Sequence, residues 1–232
     1  MISLGDLTLE QVIFELKFHQ AFLYWDTCGA ISQEISQKWP DLSLKAIDPQ
    51  NATGIVSEGR ISLSFGPERM GSDQHFPKDL DTFRKVTNDS AMTVLTHLKV
   101  TELVRIGNRY IYFWPGGSSE EKAAEFFEEW NFLTLSERTK AVGNKIRMYG
   151  IRFVVEREDI SMTVRVGFRE RSLKLEMPSF VTVNRGPFIE KCLAIDVDCY
   201  STKALGRGTF DAELFMSTQE RNVRKTIETL LS

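Results

Sequence analysis

Residues 151–166, with the sequence IRFVVEREDISMTVRV, decide the fold of this chain. Apolar and polar side chains alternate on both sides of Glu158 and Asp159, which is the pattern of two half-buried strands. A two-residue turn at Glu158 and Asp159 predicts a hairpin whose cross-strand pairs on one face are all apolar: Val155 with Met162, Phe153 with Val164, Ile151 with Val166, and Tyr149 with Phe168. Because a slip of one residue would turn every apolar side chain to the other face, this register is strongly specified.

The alternation continues beyond the hairpin and predicts a third strand. A second turn at Glu170 and Arg171 would again pair apolar residues on the same face: Phe168 with Leu173, Val166 with Leu175, and Val164 with Met177. The other face of this meander then carries Arg152 opposite Arg165, and Arg165 opposite Glu176. A further strand over residues 192–200 and a last helix from about Asp211, capped by Thr209, complete this half of the chain.

The first half of the chain contains a strand, a helix, several more strands and a second helix. Period-two alternation predicts the strand over residues 11–18, and apolar residues at spacings of three and four predict the helix over 24–39. The further predicted strands are 42–47, 60–65, 92–99, 101–106 and 109–114. Glycine and proline indicate a loop over 66–81, Gly107-Asn108 indicates a hairpin turn, and a helix is predicted to begin at Ser118.

Consecutive strands with short turns predict the α+β class with mainly antiparallel sheets, in two packed sheet-plus-helix lobes. We place an N-terminal α+β lobe, strand-helix-strands-helix, at residues 1–141. A C-terminal antiparallel meander with the terminal helix then occupies residues 142–232. The boundary follows from a glycine and an asparagine at residues 143–144, which are typical of a linker.

Composition narrows the class of protein. The 232 residues carry 29 basic and 32 acidic side chains, a net charge of −3, which opposes a protein that coats nucleic acid non-specifically. Three cysteines, an odd number, favour free thiols in a reducing compartment. The chain shows neither a signal-peptide pattern nor an apolar run of membrane-spanning length, so a cytoplasmic protein is expected, with no membrane partner.

The charge is unevenly distributed along the chain. Residues 1–135 hold 12 basic and 19 acidic side chains, a net charge of −7, whereas residues 136–232 carry a net charge of +4. Such asymmetry favours interaction between surfaces of opposite sign. The two halves could pair with each other, or between subunits of a homo-oligomer, or the basic half could bind an acidic partner.

Asp196 and Asp198 are the weak catalytic candidates. They lie two residues apart on a predicted strand, so both carboxylates share a face, and clustered carboxylates are ligands of Mg²⁺ in nucleases. The alternative is that they face solvent or pair with Arg152 and Arg165 on a neighbouring strand. The sequence shows neither a third carboxylate at nuclease spacing nor a zinc or P-loop motif, so we expect no metal site and no cofactor.

The basic face of the meander is the candidate binding surface. It carries Arg152, Arg165, Arg169 and Lys174, and it could contact RNA, single-stranded DNA or an acidic protein. The nearby aromatic residues are predicted on the opposite, core-facing side, which weakens the case for nucleic acid. A face that is only solvated remains open as well.

Four short motifs resemble a sporadically distributed, uncharacterised family of bacterial proteins that open with an E-V-V-F-E-L-R-F-like strand. The matching stretches are QVIFELKF at 11–18, KWP at 38–40, YGIRF at 149–153 and LAIDVD at 193–198. The resemblance implies no established activity and supplies no catalytic residues. A patchy distribution is typical of mobile or defence-linked genes, so it implies an accessory interaction protein of a bacterial system, with phage defence as one setting.

The sequence therefore predicts a non-enzymatic interaction protein, an accessory or regulatory subunit that binds a protein partner. Two alternatives stay open: a metal-dependent nuclease or other phosphate-processing enzyme that uses Asp196 and Asp198, and a nucleic-acid-binding module that uses the basic meander face.

Overall fold

The structure is a computed structural model, and it describes residues 3–56, 60–115, 126–127, 150–173 and 188–232. Ten strands and three α-helices have described bounds. In chain order they are β1 Thr8–Phe18, α1 Tyr24–Lys38, β2 Leu42–Ile47, β3 Ala52–Val56, β4 Ile61–Phe65, β5 Arg69–His75, α2 Asp81–His97, β6 Glu102–Trp114, β7 Gly150–Arg157, β8 Ile160–Leu173, β9 Phe188–Ser201, β10 Leu205–Gly206 and α3 Ala212–Leu231.

All ten described strands belong to one antiparallel sheet, which confirms the predicted α+β class. The strand order is β2-β3-β4-β5-β1-β6-β9-β8-β7, and β10 pairs with the start of β6. The pairing of β6 with β9 joins strands from both sides of the predicted boundary at residue 142 in this sheet. The division into 1–141 and 142–232 stays a prediction.

The three helices pack on one face of the sheet, where the apolar side chains of the strands meet them. In β1 the residues Val12, Phe14 and Leu16 are buried, and they form one core with Ile31 of α1 and Val223 of α3. Full burial of such a side chain stabilises the fold by about 1.5–3 kcal/mol relative to its exposure to water. The alternation that predicts β1 from the sequence is therefore the alternation between the core and the opposite face.

The predicted hairpin between β7 and β8 is confirmed over its described part. Val155 pairs with Met162, Phe153 with Val164 and Ile151 with Val166, while Tyr149 lies outside the described residues. Glu158 in the turn has φ of 45°, in the left-handed region that a tight turn requires. Local alternation and turn length are sufficient to define this element.

The predicted turn at Glu170 and Arg171 is wrong, because β8 continues to Leu173 and pairs with β9 along its whole length. Arg165 therefore lies opposite Asp196 and not opposite Glu176. Leu175 and Met177 of the predicted third strand lie outside the described residues. Sequence alternation alone does not tell a short strand followed by a turn from a long strand with a distant partner.

Three predictions in the first half are also wrong. The predicted loop 66–81 contains the strand β5, whose inward residues include the polar Ser72 and Gln74, so it lacks an apolar alternation. The predicted strand 92–99 lies largely in α2, where residues such as Val86 and Val94 face the core at helical spacing. Gly107-Asn108 is the middle of β6 and not a turn, and Gly107 pairs with Glu15 on one side and Tyr200 on the other.

The remaining differences are smaller. The sequence prediction omits β3, a short strand between β2 and β4. The last helix begins at Ala212, and its cap is Asp211, whose carboxylate accepts a hydrogen bond from the backbone N–H of Leu214, and not Thr209. The predicted helix after Ser118 lies outside the described residues except for Phe126 and Phe127. No helix within the described ranges has the length and apolar character needed to cross a lipid bilayer.

Candidate functional site

The face of the sheet opposite the helices carries charged side chains from neighbouring strands, and we call it the polar face. Its central residues are Glu15 of β1, Arg105 and Arg109 of β6, Asp196 and Asp198 of β9, and Arg165 and Arg169 of β8. They share this face because each alternates with a buried residue of the core, and the register sets Arg109 opposite Asp198 and Asp196 opposite Arg165.

Asp196 is the centre of this face, and its side chain is completely buried. Arg109 donates two hydrogen bonds to it, from Nε to Oδ1 and from Nη2 to Oδ2, each 2.7 Å long. Arg169 donates from Nη2 to Oδ2 at 2.8 Å, and Arg165 from Nη1 to the same oxygen at 3.4 Å. One carboxylate thus holds three guanidinium groups from two strands, β6 and β8.

Burial raises the pKa of Asp196. The hydrogen bonds and charges of Arg109 and Arg169 lower this pKa by a larger amount, so the net pKa lies below its ordinary value. The hydrogen bonding between Arg109 and Asp196 also raises the pKa of Arg109. At neutral pH the Asp196 carboxylate is therefore ionised, and the Arg109 guanidinium beside it is positively charged.

Positive charge exceeds negative charge at this site. The side chains of Arg109, Arg165 and Arg169 remain 37%, 34% and 42% exposed, whereas Asp196 has no exposed surface. A guanidinium group has five N–H donors, and the hydrogen bonds to Asp196 use one or two of each group. The site therefore presents positive charge and hydrogen-bond donors to solvent, which is the requirement for binding an anion.

A second cluster lies beside the first, around Arg105. Its Nη1 donates to the Glu15 carboxylate at 3.0 Å, and its Nη2 lies 3.6 Å from Oδ2 of Asp198. The guanidinium carbon also lies 4.8 Å from the ring centre of Tyr200, so the cation stacks on an aromatic ring. These contacts hold the planar group of Arg105 in one orientation on the polar face.

A groove of about 570 Å³ runs along the polar face beside both clusters. Its lining includes Arg69, Arg105, Arg109 and Asp198, together with the hydroxyl-bearing residues Thr53, Ser62 and Ser64 of β3 and β4. The volume lies in the range of small-ligand sites. Because the lining also includes apolar side chains such as Ile13 and Leu63, the groove offers both hydrogen-bonding groups and apolar contacts to a ligand.

The structure brings together three of the predicted binding residues. Arg165 and Arg169 both contact Asp196, and Arg152 lies exposed on β7 directly opposite Arg165 in the register. Lys174 lies outside the described residues. Asp196 and Asp198 share a face, as the alternation predicts, and Asp196 pairs with Arg165, which is one of the alternatives weighed from the sequence.

The surroundings of Asp196 disfavour a divalent cation. Its two oxygens accept four N–H hydrogen bonds from guanidinium groups, and their positive charges would repel a metal ion. The described residues contain no group of three or more His, Cys, Asp or Glu side chains arranged to hold a metal. A metal-dependent enzyme at Asp196 and Asp198 would have to displace these arginines first.

Sequence reasoning missed Arg109, Arg105 and Tyr200. The two arginines lie far along the chain from β9, and only the pairing of β6 with β9 brings them to Asp196 and Asp198. Tyr200 could have been found, because it continues the alternation of Asp196 and Asp198 and so shares their face. An aromatic side chain does therefore lie on the charged side of the sheet.

No model of a known protein family matches this chain, and no curated protein matches it at a significant level. The resemblance based on four short motifs therefore stays a hypothesis, and any proposal for function must rest on the site itself.

Proposed function

We propose that this protein is a non-enzymatic nucleic-acid-binding module and that the polar face of its sheet contacts the phosphate backbone. A single observation carries the proposal: three partly exposed arginines surround one fully buried carboxylate, so among the described residues they carry more positive charge than Asp196 and the neighbouring Asp198 offset. Keeping like charges together costs stability, and such a cost is typical of a binding site.

The chemistry of the cluster suits phosphate. Arginine is the side chain best matched to a phosphate group, because its planar fork donates two parallel hydrogen bonds. Asp196 accepts hydrogen bonds from all three groups and restricts their conformations before a ligand binds. Each arginine therefore loses less conformational entropy on binding. The buried carboxylate acts as a positioning group for the arginines.

The overall charge of −3 restricts where nucleic acid can bind. A protein that coats nucleic acid through its whole surface needs a large excess of basic residues. Here the excess is local, around Arg109, Arg165 and Arg169, and the acidic side chains on other surfaces would repel phosphate. Binding should therefore be confined to the polar face and strongly dependent on salt.

The test is fluorescence anisotropy of a labelled oligonucleotide with the full chain, at several salt concentrations. The variant Arg165→Gln/Arg169→Gln should weaken binding about tenfold or more and reduce the slope of log affinity against log salt by about 1.4 on a single strand. The matched control Arg221→Gln/Lys225→Gln removes two exposed charges from α3, on the helical side, and should leave binding nearly unchanged. Equal weakening by both variants, or no binding by the wild type, would contradict the proposal.

A second candidate, the predicted protein partner, is favoured by an exposed apolar patch at one end of the sheet. Phe22, Trp25, Leu44 and Ile47 are 71%, 45%, 43% and 49% exposed. The rings of Phe22 and Trp25 lie 5.9 Å apart, and the Trp25 indole donates to the carbonyl of Pro49, just beyond β2. Since β2 is the end strand of the described sheet, an extended segment of a partner could pair with it beside this patch.

The variant Trp25→Ser/Ile47→Ser tests this candidate. Co-purification from the native host should lose a specific protein with this variant and keep it with Arg165→Gln/Arg169→Gln. If the same proteins co-purify with the wild type and both variants, the patch is not a docking surface.

A further inference from the structure

Six basic residues lie in a diagonal line across the polar face, and we call this line the basic track. From β8 to β5 they are Arg169, Arg165, Arg109, Arg105, Lys17 and Arg69. The register sets Lys17 of β1 between Arg105 on one side and Arg69 on the other. The three-arginine cluster is therefore one end of a longer line of six basic residues, among which the carboxylates of Glu15, Asp196 and Asp198 also lie.

The strand pairing gives the length of this track. Arg165 pairs with Asp196, and Asp196 pairs with Ile111 of β6, so Arg165 and Ile111 lie at the same height along the strands. From this height, Arg169 lies toward one end of the strands and Arg105 toward the other. The track thus crosses four strand-to-strand steps of about 4.8 Å and ten residues of about 3.3 Å, which gives about 35–40 Å along the sheet. That length corresponds to about 11 nucleotides at the stacked spacing of about 3.4 Å, and to fewer in an extended strand.

Two grooves follow the track. The groove described above has Arg109, Arg105 and Arg69 in its lining. A second groove, of about 670 Å³, is lined by residues that include Lys17 and again Arg69. Arg69 belongs to the lining of both depressions, so a chain-like ligand that follows the track would pass beside it.

The stack of Arg105 on Tyr200 adds a feature that phosphate binding alone does not need. Glu15 and Asp198 contact the Arg105 guanidinium group, whose carbon lies over the Tyr200 ring at 4.8 Å from the ring centre, and the Arg105 side chain remains 31% exposed. An unpaired base can stack on a guanidinium plane or an aromatic ring, whereas the bases of a duplex are already stacked on each other. A stacking surface of this kind favours a single strand over a duplex.

We infer that the ligand of the polar face is a single-stranded nucleic acid that lies along the basic track and stacks a base on the Arg105–Tyr200 pair. This inference rests on the proposed function and adds to it the form of the nucleic acid, its path and its length. If all six cations contact phosphates, log affinity falls with log salt with a slope of about −4 on a single strand.

The experiment compares labelled oligothymidine strands of about 4, 8, 12 and 24 nucleotides with a duplex of about 24 base pairs, by anisotropy with the full chain. Affinity should rise steeply up to about 8–12 nucleotides and little beyond that, and the duplex should bind more weakly than the single strand of equal length. A competing acidic peptide should not displace the strand at moderate salt.

Two charge-conserving variants separate this inference from the proposed function. Arg105→Lys keeps the charge but removes the planar stacking surface, so it should weaken single-strand binding about tenfold and leave the salt slope unchanged. Arg221→Lys, at an exposed position of α3 on the helical side, is the matched control and should cause no loss. The urea unfolding midpoint of each variant checks that the sheet is intact.

The outcomes distinguish a failure of the single-strand inference from a failure of the proposed function. A duplex that binds as tightly as the single strand, a strand of about 4 nucleotides that binds as tightly as one of about 12, or an Arg105→Lys variant with full affinity would each overturn the single-strand inference while phosphate binding stands. Absence of all nucleic-acid binding would overturn the proposed function itself.

Discussion

Replacement of Asp196 by asparagine tests whether one buried carboxylate holds the arginine cluster together. Asparagine has nearly the same size and shape, so the change removes the negative charge and part of the acceptor capacity without opening a cavity. Arg109, Arg165 and Arg169 then have no carboxylate between them, and their mutual repulsion is no longer offset.

The expected magnitude follows from the contacts. Asp196 accepts two hydrogen bonds of 2.7 Å from Arg109 and one of 2.8 Å from Arg169. Each hydrogen bond to a charged group contributes about 1.5–3 kcal/mol, but these guanidinium groups are partly exposed and water recovers a share of that energy. Asparagine also avoids the cost of burying a charge, so we expect the free energy of unfolding to fall by about 1–3 kcal/mol.

Urea unfolding followed by tryptophan fluorescence and circular dichroism measures this difference, with Asp198→Asn as the matched control. Asp198 lies 3.6 Å from Arg105 and keeps 23% of its side chain exposed, so its loss should cost less than about 1 kcal/mol. A change in the urea midpoint without a change in slope would show that stability alone was altered.

The pH dependence supplies an independent check. The pKa of Asp196 is lowered in the folded state, so the stability it contributes is present above the unfolded pKa of about 3.9 and is lost as the pH falls through the lower folded value. The difference in free energy of unfolding between wild type and Asp196→Asn should therefore have its full value at neutral pH and become smaller in acid. If Asp196→Asn is as stable as Asp198→Asn at neutral pH, the carboxylate does not hold the cluster and the argument fails.

Two further predictions concern the scaffold. A Cβ at Gly66 would lie 2.4 Å from the backbone oxygen of Gln50, so Gly66→Ala should lower the free energy of unfolding by about 1–3 kcal/mol, whereas Gly29→Ala in the open middle of α1 should raise it by up to about 1 kcal/mol. Equal urea midpoints for these two variants would contradict the packing at Gly66. Hydrogen bonds from His97 and then Lys38 lower the pKa of Glu34 to about 2. The difference in free energy of unfolding between wild type and Glu34→Gln should therefore be present above pH about 4.3 and vanish toward pH 2. A difference that persists in strong acid would refute this contact.

The elements predicted correctly from the sequence are those whose pattern is local. The β7–β8 hairpin is defined by alternation on both sides of a two-residue turn, and β1 by a period of two over residues 11–18 that only Ile13 interrupts. In α1, apolar residues at helical spacing end at a proline two residues after Lys38. Each of these signals lies within a single stretch of chain, where the competing structures can be compared directly.

The predictions that are wrong depend on distant partners. In α2, β-branched residues such as Thr93 and Val94 favour a strand locally, but packing on the sheet makes this stretch a helix. In β6, Gly107-Asn108 favours a turn, yet both neighbours β1 and β9 supply hydrogen-bond partners, so the strand continues through it. In β5, polar inward residues find buried partners, such as Thr87 for Ser72, and the strand forms without an apolar alternation.

The sequence by itself determines the α+β class, the antiparallel pairing of β7 and β8, and the fact that Asp196 and Asp198 share a face, because all three follow from periods of two and from short turns. Only the tertiary structure decides what those carboxylates contact. Arg109 reaches Asp196 through the β6–β9 pairing, and Arg165 and Arg169 reach it because β8 pairs with β9 along its full length. The site is a product of strand order in one sheet, and strand order depends on contacts between residues far apart in the chain.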